Sequence, residues 1–315
     1  MLKATVSKHT LTFKQASGTS RGILTEKDSW IIEVFDSENP VIVGKGEASI
    51  IKSLSPEWND TYEFELNAIL EKIDSIGPSE LDALKSSPSI LFGIECALLD
   101  LKNGGNGILF ESDFTANQAP IPINGLIWMG SEEFMLEQIE QKLKEGYRCI
   151  KMKIGAIDFQ TEIEILRSIR RRYNSNEIEL RVDANGAFEM ADVMGKLDLL
   201  AALQIHSIEQ PIKAGQYDEM KALCANTPLP IALDEELIGI KGQKEKQHLL
   251  EYLQPQYIIL KPSLHGGLLG SDEWIEAAEH LNIKWWITSA LESNIGLDAI
   301  AQYTYTKNNP LPQGL

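Results

Sequence analysis

The chain predicts an α/β protein. Its larger part reads as a modified TIM barrel of the (β/α)7β type, preceded by a smaller α+β domain. Three observations carry this. Beyond residue 120, short apolar runs alternate with amphipathic helical stretches, the pattern of a parallel sheet. Charged residues ending those runs recur at steps of about 25 to 30 residues, the length of one strand–loop–helix–loop unit. The first third instead places strands before helices, as in a small α+β unit. The expected division is residues 1–118 and 119–315.

Taken in order, residues 3–13 and 30–35 alternate polar and apolar side chains and read as antiparallel strands. Between them, Ser17-Gly18-Thr19-Ser20-Arg21-Gly22 is a loop of small residues containing one cation. Residues 44–51 form a third strand. Helices are expected over 58–76, 79–91 and 90–101, the last stopping at Gly104-Gly105. Barrel strands follow near 121–129, 149–154, 179–184, 206–209, 231–234, 257–261 and 285–289. Helices between them are expected at 132–145, 159–173, 190–203, 215–225, 247–254 and 272–281. An eighth strand begins only at Gln313, two residues before the chain stops.

A net charge of −17 argues against nucleic acid or an anionic membrane as partner. It leaves an anionic small-molecule substrate open, because lysines and a metal reverse the field locally. Cys96, Cys149 and Cys224 are widely spaced without a CxxC pair, so neither a disulfide framework nor structural zinc is expected. Reduced thiols, the absence of an apolar signal core, and no apolar run near about 18 residues together predict a cytoplasmic protein. Oligomeric state is not written in these features.

The chemistry lies at the strand ends. Asp183, Glu209 and Asp234 each follow an apolar run, on three successive strands. A barrel gathers such residues at its C-terminal rim, where converging carboxylates need a cation between them. Oxygen-only donors favour Mg²⁺ over Zn²⁺, with Mn²⁺ as a substitute. Lys151 and Lys153 are two apart in a strand and share a face. Two ammonium groups beside a divalent cation favour the neutral amine, a base near neutral pH. Lys261 ends the strand across the barrel. The segment 288–296, with Ser289, Glu292 and Ser293, offers hydroxyls and a helix N-terminus suited to a carboxylate. No histidine is assigned a catalytic part, and no Walker or dinucleotide glycine motif is present.

Lys151-Met152-Lys153, Asp183 with Asn185, Glu209-Gln210-Pro211, Asp234-Glu235 and Lys261-Pro262 together resemble the enolase superfamily, in particular its muconate-lactonizing subgroup. The resemblance implies a metal held by Asp183, Glu209 and Asp234, and Lys153 as the base at the carbon α to a carboxylate. It also implies Lys261 facing the other side of the substrate, Lys151 tuning Lys153, and Glu235 pairing with Lys261. The resemblance implies as well that the α+β domain caps the barrel and that residues 17–22, with Arg21, form a loop over the site; Arg181, on the same face as Asp183, is expected to support that acid. Residues 18–22 and 289–296 bring the chain nearest to the subgroup's dehydratases of menaquinone biosynthesis. Their substrate is a cyclohexadiene bearing a carboxylate, a succinyl chain and a hydroxyl. Racemisation of N-succinylamino acids or epimerisation of dipeptides uses the same metal and lysines and is the alternative. Phe188 stands where relatives often carry Trp.

Overall fold

The computed structural model describes residues 1–19 and 22–315, and the side chains of residues 1–14 and 23–315. Strands β1 (Leu2–Thr19), β2 (Gly22–Asp36) and β3 (Asn39–Ser49) form an antiparallel sheet in that order. Its inner face carries Trp30, Ile32 and Val34, all buried against helices. The strands run well past the expected bounds. Ser17, Gly18 and Thr19 pair with Leu24, Ile23 and Gly22, so much of the predicted loop is hairpin, while Ser20 and Arg21 lie outside the described residues. A run of small polar residues shows no apolar alternation, so its pairing is silent in the sequence.

The first two expected helices are shorter than expected and the third is longer. The region 58–76 holds α1 (Tyr62–Leu70) and a 3-10 turn at Ile73–Ser75. The region 79–101 breaks into α2 (Pro78–Ala83), a 3-10 turn at Leu84–Ser86 and α3 (Pro88–Lys102). Pro88 has no N–H to continue a helix and opens the next one instead. Helix α3 lies directly on β3. A Cβ on Gly46 would fall 1.9 Å from the Gly93 carbonyl oxygen, so only glycine permits this approach.

The remainder is a curled parallel sheet with helices outside it. The alternation runs β4 (Gly125–Ile127), α4 (Glu132–Lys144), β5 (Cys149–Lys153), α5 (Phe159–Arg172), β6 (Glu179–Asp183), α6 (Val193–Ala202), β7 (Ser207–Glu209), α7 (Tyr217–Asn226) and β8 (Ile231–Leu233). It continues with α8 (Gln243–Leu253), β9 (Tyr257–Leu260), α9 (Gly267–His280), β10 (Lys284–Ile287) and α10 (Asn294–Thr306). Sequential strands are neighbours throughout. The first predicted barrel strand shrinks to three residues, and α10 is absent from the expected helices. The expected eighth strand is present as a two-residue closure. Gln313 bridges to Ile123 and Gly314 to Thr288, filling the gap between β4 and β10. Gln313 is fully buried, and its Oε1 accepts from Ile287 N at 2.8 Å.

Two carboxylates fasten the sheet and α3 to the barrel. Glu47 on β3 accepts from Ser293 N and Gly296 N, both at 2.9 Å, at the start of α10. Glu95 on α3 accepts from Leu268 N and Leu269 N at the start of α9. Unpaired N–H groups at a helix start favour such anions. Among the described residues no helix is long and apolar enough to cross a membrane.

Candidate active site

The parallel register sets the site. Lys153 lies beside Asp183, and Asp183 beside Glu209, on β5, β6 and β7. Neighbouring strands are about 4.8 Å apart, so these side chains leave the sheet together. Lys153 Nζ donates to Asp183 Oδ2 and to Asn185 Oδ1, each at 2.7 Å. Lys151 Nζ donates to Glu209 Oε2 at 2.7 Å and stands 3.8 Å from Asp183 Oδ2. From the far side, Lys261 bonds Asp234 Oδ2 and lies 3.9 Å from Glu209 Oε1. All seven side chains are buried or nearly so. Asn185, held at a left-handed φ of 44°, also donates through Nδ2 to Glu235 Oε1 at 3.0 Å.

The charges shape one another. Burial alone would raise the Asp183 pKa, but Lys153 and Lys151 outweigh it and hold the carboxyl well below its usual range. Asp234 goes the other way: burial, with Glu235 and Glu209 adding to it, outweighs Lys261. Burial opposes the charge on Lys151 and Lys261, yet the adjacent acids overcome it and both ammonium groups are strengthened. On Lys151, Glu209 and then Asp183 are the acids that outweigh burial and the opposing charge of Lys261.

Above these groups lies a cavity of about 720 Å³, floored by Lys151, Lys153, Asp183, Glu209 and Lys261 and roofed by β2 residues between 23 and 28 and by residues 50–54, just past β3. Trp128, just past β4, lines it, with its ring centroid 5.8 Å from Lys153 Nζ.

Other expected site residues divide. Ser289 lines the cavity. Glu292 does not: Ser263 Oγ and Ala290 N occupy its carboxylate at 2.5 and 2.6 Å. Ser293 does hold a carboxylate, but it is that of Glu47. Arg181 turns toward the start of its own strand, bonding Glu179 Oε1 at 2.7 Å and Pro312 O at 2.9 Å, and stacks 4.2 Å from the Trp286 ring centre. It contacts no rim acid. Lys261 pairs with Asp234 and not with Glu235. Arg21 lies outside the described residues. Gln210, in the sequence merely the middle of the Glu-Gln-Pro motif, is a tie between strands. Its Oε1 accepts from Asp234 N at 3.2 Å and Glu236 N at 3.3 Å, fixing the turn that carries Asp234.

Among the described residues the acids are not drawn together as a ligand cluster; each faces an ammonium group. The donor set nevertheless suits a hard divalent cation. Every candidate ligand is a carboxylate oxygen, and Glu209 Oε1 and Asp234 Oδ1 are buried with no hydrogen-bond partner among the described residues. Orphaned anionic oxygens in a dry site demand positive charge.

Acids and lysines on successive strands of a capped parallel barrel define a class. The chain belongs to the enolase superfamily: the family described as enolase C-terminal domain-like matches residues 135–314. It is 45% identical to o-succinylbenzoate synthase of Desulfotalea psychrophila, across 97% of this chain and 90% of that protein. The crystal structure of MenC from Desulfotalea psychrophila superposes with a TM-score of 0.86 at 40% identity, covering 100% of this chain and 93% of the other. The N-succinyl-L-Arg/Lys racemase of Bacillus cereus is 22% identical across 91% of this chain and 79% of its own length.

Proposed function

We propose that the protein is a metal-dependent hydro-lyase of menaquinone biosynthesis, acting in the cytoplasm. It converts 2-succinyl-6-hydroxy-2,4-cyclohexadiene-1-carboxylate to o-succinylbenzoate. The 45% identity along nearly the whole chain to a synthase of that name carries this reading. The cavity supplies matching chemistry. In this reading residues 1–118 are the cap and 119–315 the catalytic barrel, and the substrate is a small carboxylate.

Asp183, Glu209 and Asp234 would hold the cation, Mg²⁺ in the first place and Mn²⁺ as a substitute. When bound, it supplies positive charge against the negative charge that builds on the ring carboxylate as the α-proton leaves. Lys153 takes that proton, and the C–H electron pair shifts toward the carboxylate, returning to the ring as the hydroxyl leaves. The same lysine, now an ammonium, returns a proton to the hydroxyl on the adjacent carbon. The C–O bond breaks, water departs, and the ring becomes aromatic. Asn185 orients Lys153 through a 2.7 Å bond. Lys261 presents a cation to the opposite face of the ring. Lys151, two positions before Lys153, adds positive charge on the same side.

The test supplies purified protein and Mg²⁺ with the cyclohexadiene acid and, separately, with N-succinylamino acids in D₂O. Appearance of the aromatic product is expected, and Lys153→Ala should lower its rate by about 100- to 10,000-fold, the range for loss of a general base. Deuterium entering an amino-acid α-carbon with no dehydration would assign the protein to the racemases instead.

A further inference from the structure

Lys27, on β2, lines the same cavity as Lys151, Lys153 and Asp183, and the chemistry above gives it no task. It is only 6% exposed. Its ammonium donates to Ser49 Oγ and, at 2.8 Å, to the Leu291 carbonyl. Both acceptors are neutral, and a lysine has three N–H bonds to give. The other lysines around the cavity each have a carboxylate: Lys52 has Asp28, Lys142 has Glu145, and Lys151, Lys153 and Lys261 have the rim acids. Among the described residues, Lys27 has none within ion-pair distance. Glu47 and Glu292 act on it through space, but their oxygens are committed to α10, Ser263 and Ala290. Burying a cation with no carboxylate in contact is costly, and such a cation attracts an anion into the cavity.

We propose that Lys27 is the counter-ion for the distal carboxylate of the substrate, the one ending its succinyl chain, and that it selects dicarboxylates over monocarboxylates. This rests on the dehydration reading, in which substrate and product carry one carboxylate on the ring and one at the chain end. The placement suits it. The rim acids and lysines line the cavity from the barrel, whereas Lys27 lines it from β2, its ammonium held between Ser49 and Leu291. A ring carboxylate at the floor leaves the chain directed at the roof. Leu24, Ile51 and Leu291 line the cavity as well and offer apolar surface to the methylenes between.

The test measures binding of o-succinylbenzoate and of 2-butanoylbenzoate, which ends in a methyl group, by calorimetry with Mg²⁺. Wild type should prefer the dicarboxylate by about 30-fold or more, the low end for a buried hydrogen-bonded charge pair. Lys27→Met should bind the two alike, leave 2-butanoylbenzoate affinity unchanged, and raise KM for the diene more than it lowers kcat. Lys27→Arg should keep part of the preference. Melting temperatures of both variants check folding, and the wild-type preference is read whether or not a variant folds. A wild type without preference, a Lys27→Met that retains it, or equal weakening of both ligands overturns the proposal. A wild type that dehydrates nothing and binds neither ligand rejects the dehydration reading itself, and that result appears before any variant is made.

Discussion

Replacing Glu95 by glutamine should remove a pH dependence of stability. Glu95 reaches from α3 to the start of α9, where Leu268 N and Leu269 N donate to it at 2.6 and 3.0 Å. Burial pushes its pKa up to about 7 despite those donors, with Asp272 adding to the rise and Lys85 opposing it. The ordinary value of 4.5 applies to the unfolded chain. Between the two values the folded protein binds more protons than the unfolded one, so stability falls as pH rises. Below about 4.5 both states hold the proton; above about 7 neither does, and the loss is complete. The shift corresponds to about 3 kcal/mol in full, of which about 2 to 3 kcal/mol falls between pH 5 and 8. A glutamine side chain in that place keeps an acceptor oxygen and has no proton to lose. Urea unfolding of wild type and Glu95→Gln at pH 5 and pH 8 gives the comparison. The variant should gain about 2 to 3 kcal/mol relative to wild type on going to pH 8. Subtraction removes the contribution of Glu162, which burial also raises to about 7. A difference that stays level between the two pH values would refute the argument.

Glu47→Ala strands Ser293 N and Gly296 N at the start of α10 and should cost about 2 to 5 kcal/mol, read as a lower melting temperature; an unchanged melt rejects the cap. Gly314→Ala places a Cβ 2.1 Å from Thr288 Oγ1 and should destabilise by about 1 to 3 kcal/mol. Gly195→Ala, which meets nothing within 4 Å on α6, is the control and should be neutral or stabilising. Chelation of divalent ions with EDTA should abolish dehydration and added Mg²⁺ should restore it; turnover that survives chelation removes the metal from the reaction.

The barrel was legible because its strands are written as apolar runs ending in charge. Parity along β5 places Lys151 and Lys153 on one face, and regular spacing puts Asp183 and Glu209 on neighbouring strands. Parity does not say which way a long side chain leans, so Arg181 shares the face of Asp183 yet turns to Glu179. Local sequence also omits distant partners. The hydroxyl and N–H groups of the 288–296 segment announce an anion site, but nothing near them reveals that Glu47, 246 residues earlier, fills it. Lys27 is silent in the sequence for a related reason. It sits where small polar residues hide a strand, and its meaning comes from the cavity beneath it.

The two carboxylate caps have a consequence for how the chain matures. Helices α9 and α10 come late off the ribosome, and their first N–H groups are satisfied by Glu95 and Glu47, made long before. Neither partner is complete while synthesis proceeds, so the closing quarter and the opening third must consolidate as one cooperative unit. Contacts of such long range make for slow assembly. They also tie the roof over the cavity to the end of the barrel, so that loosening one unlatches the other.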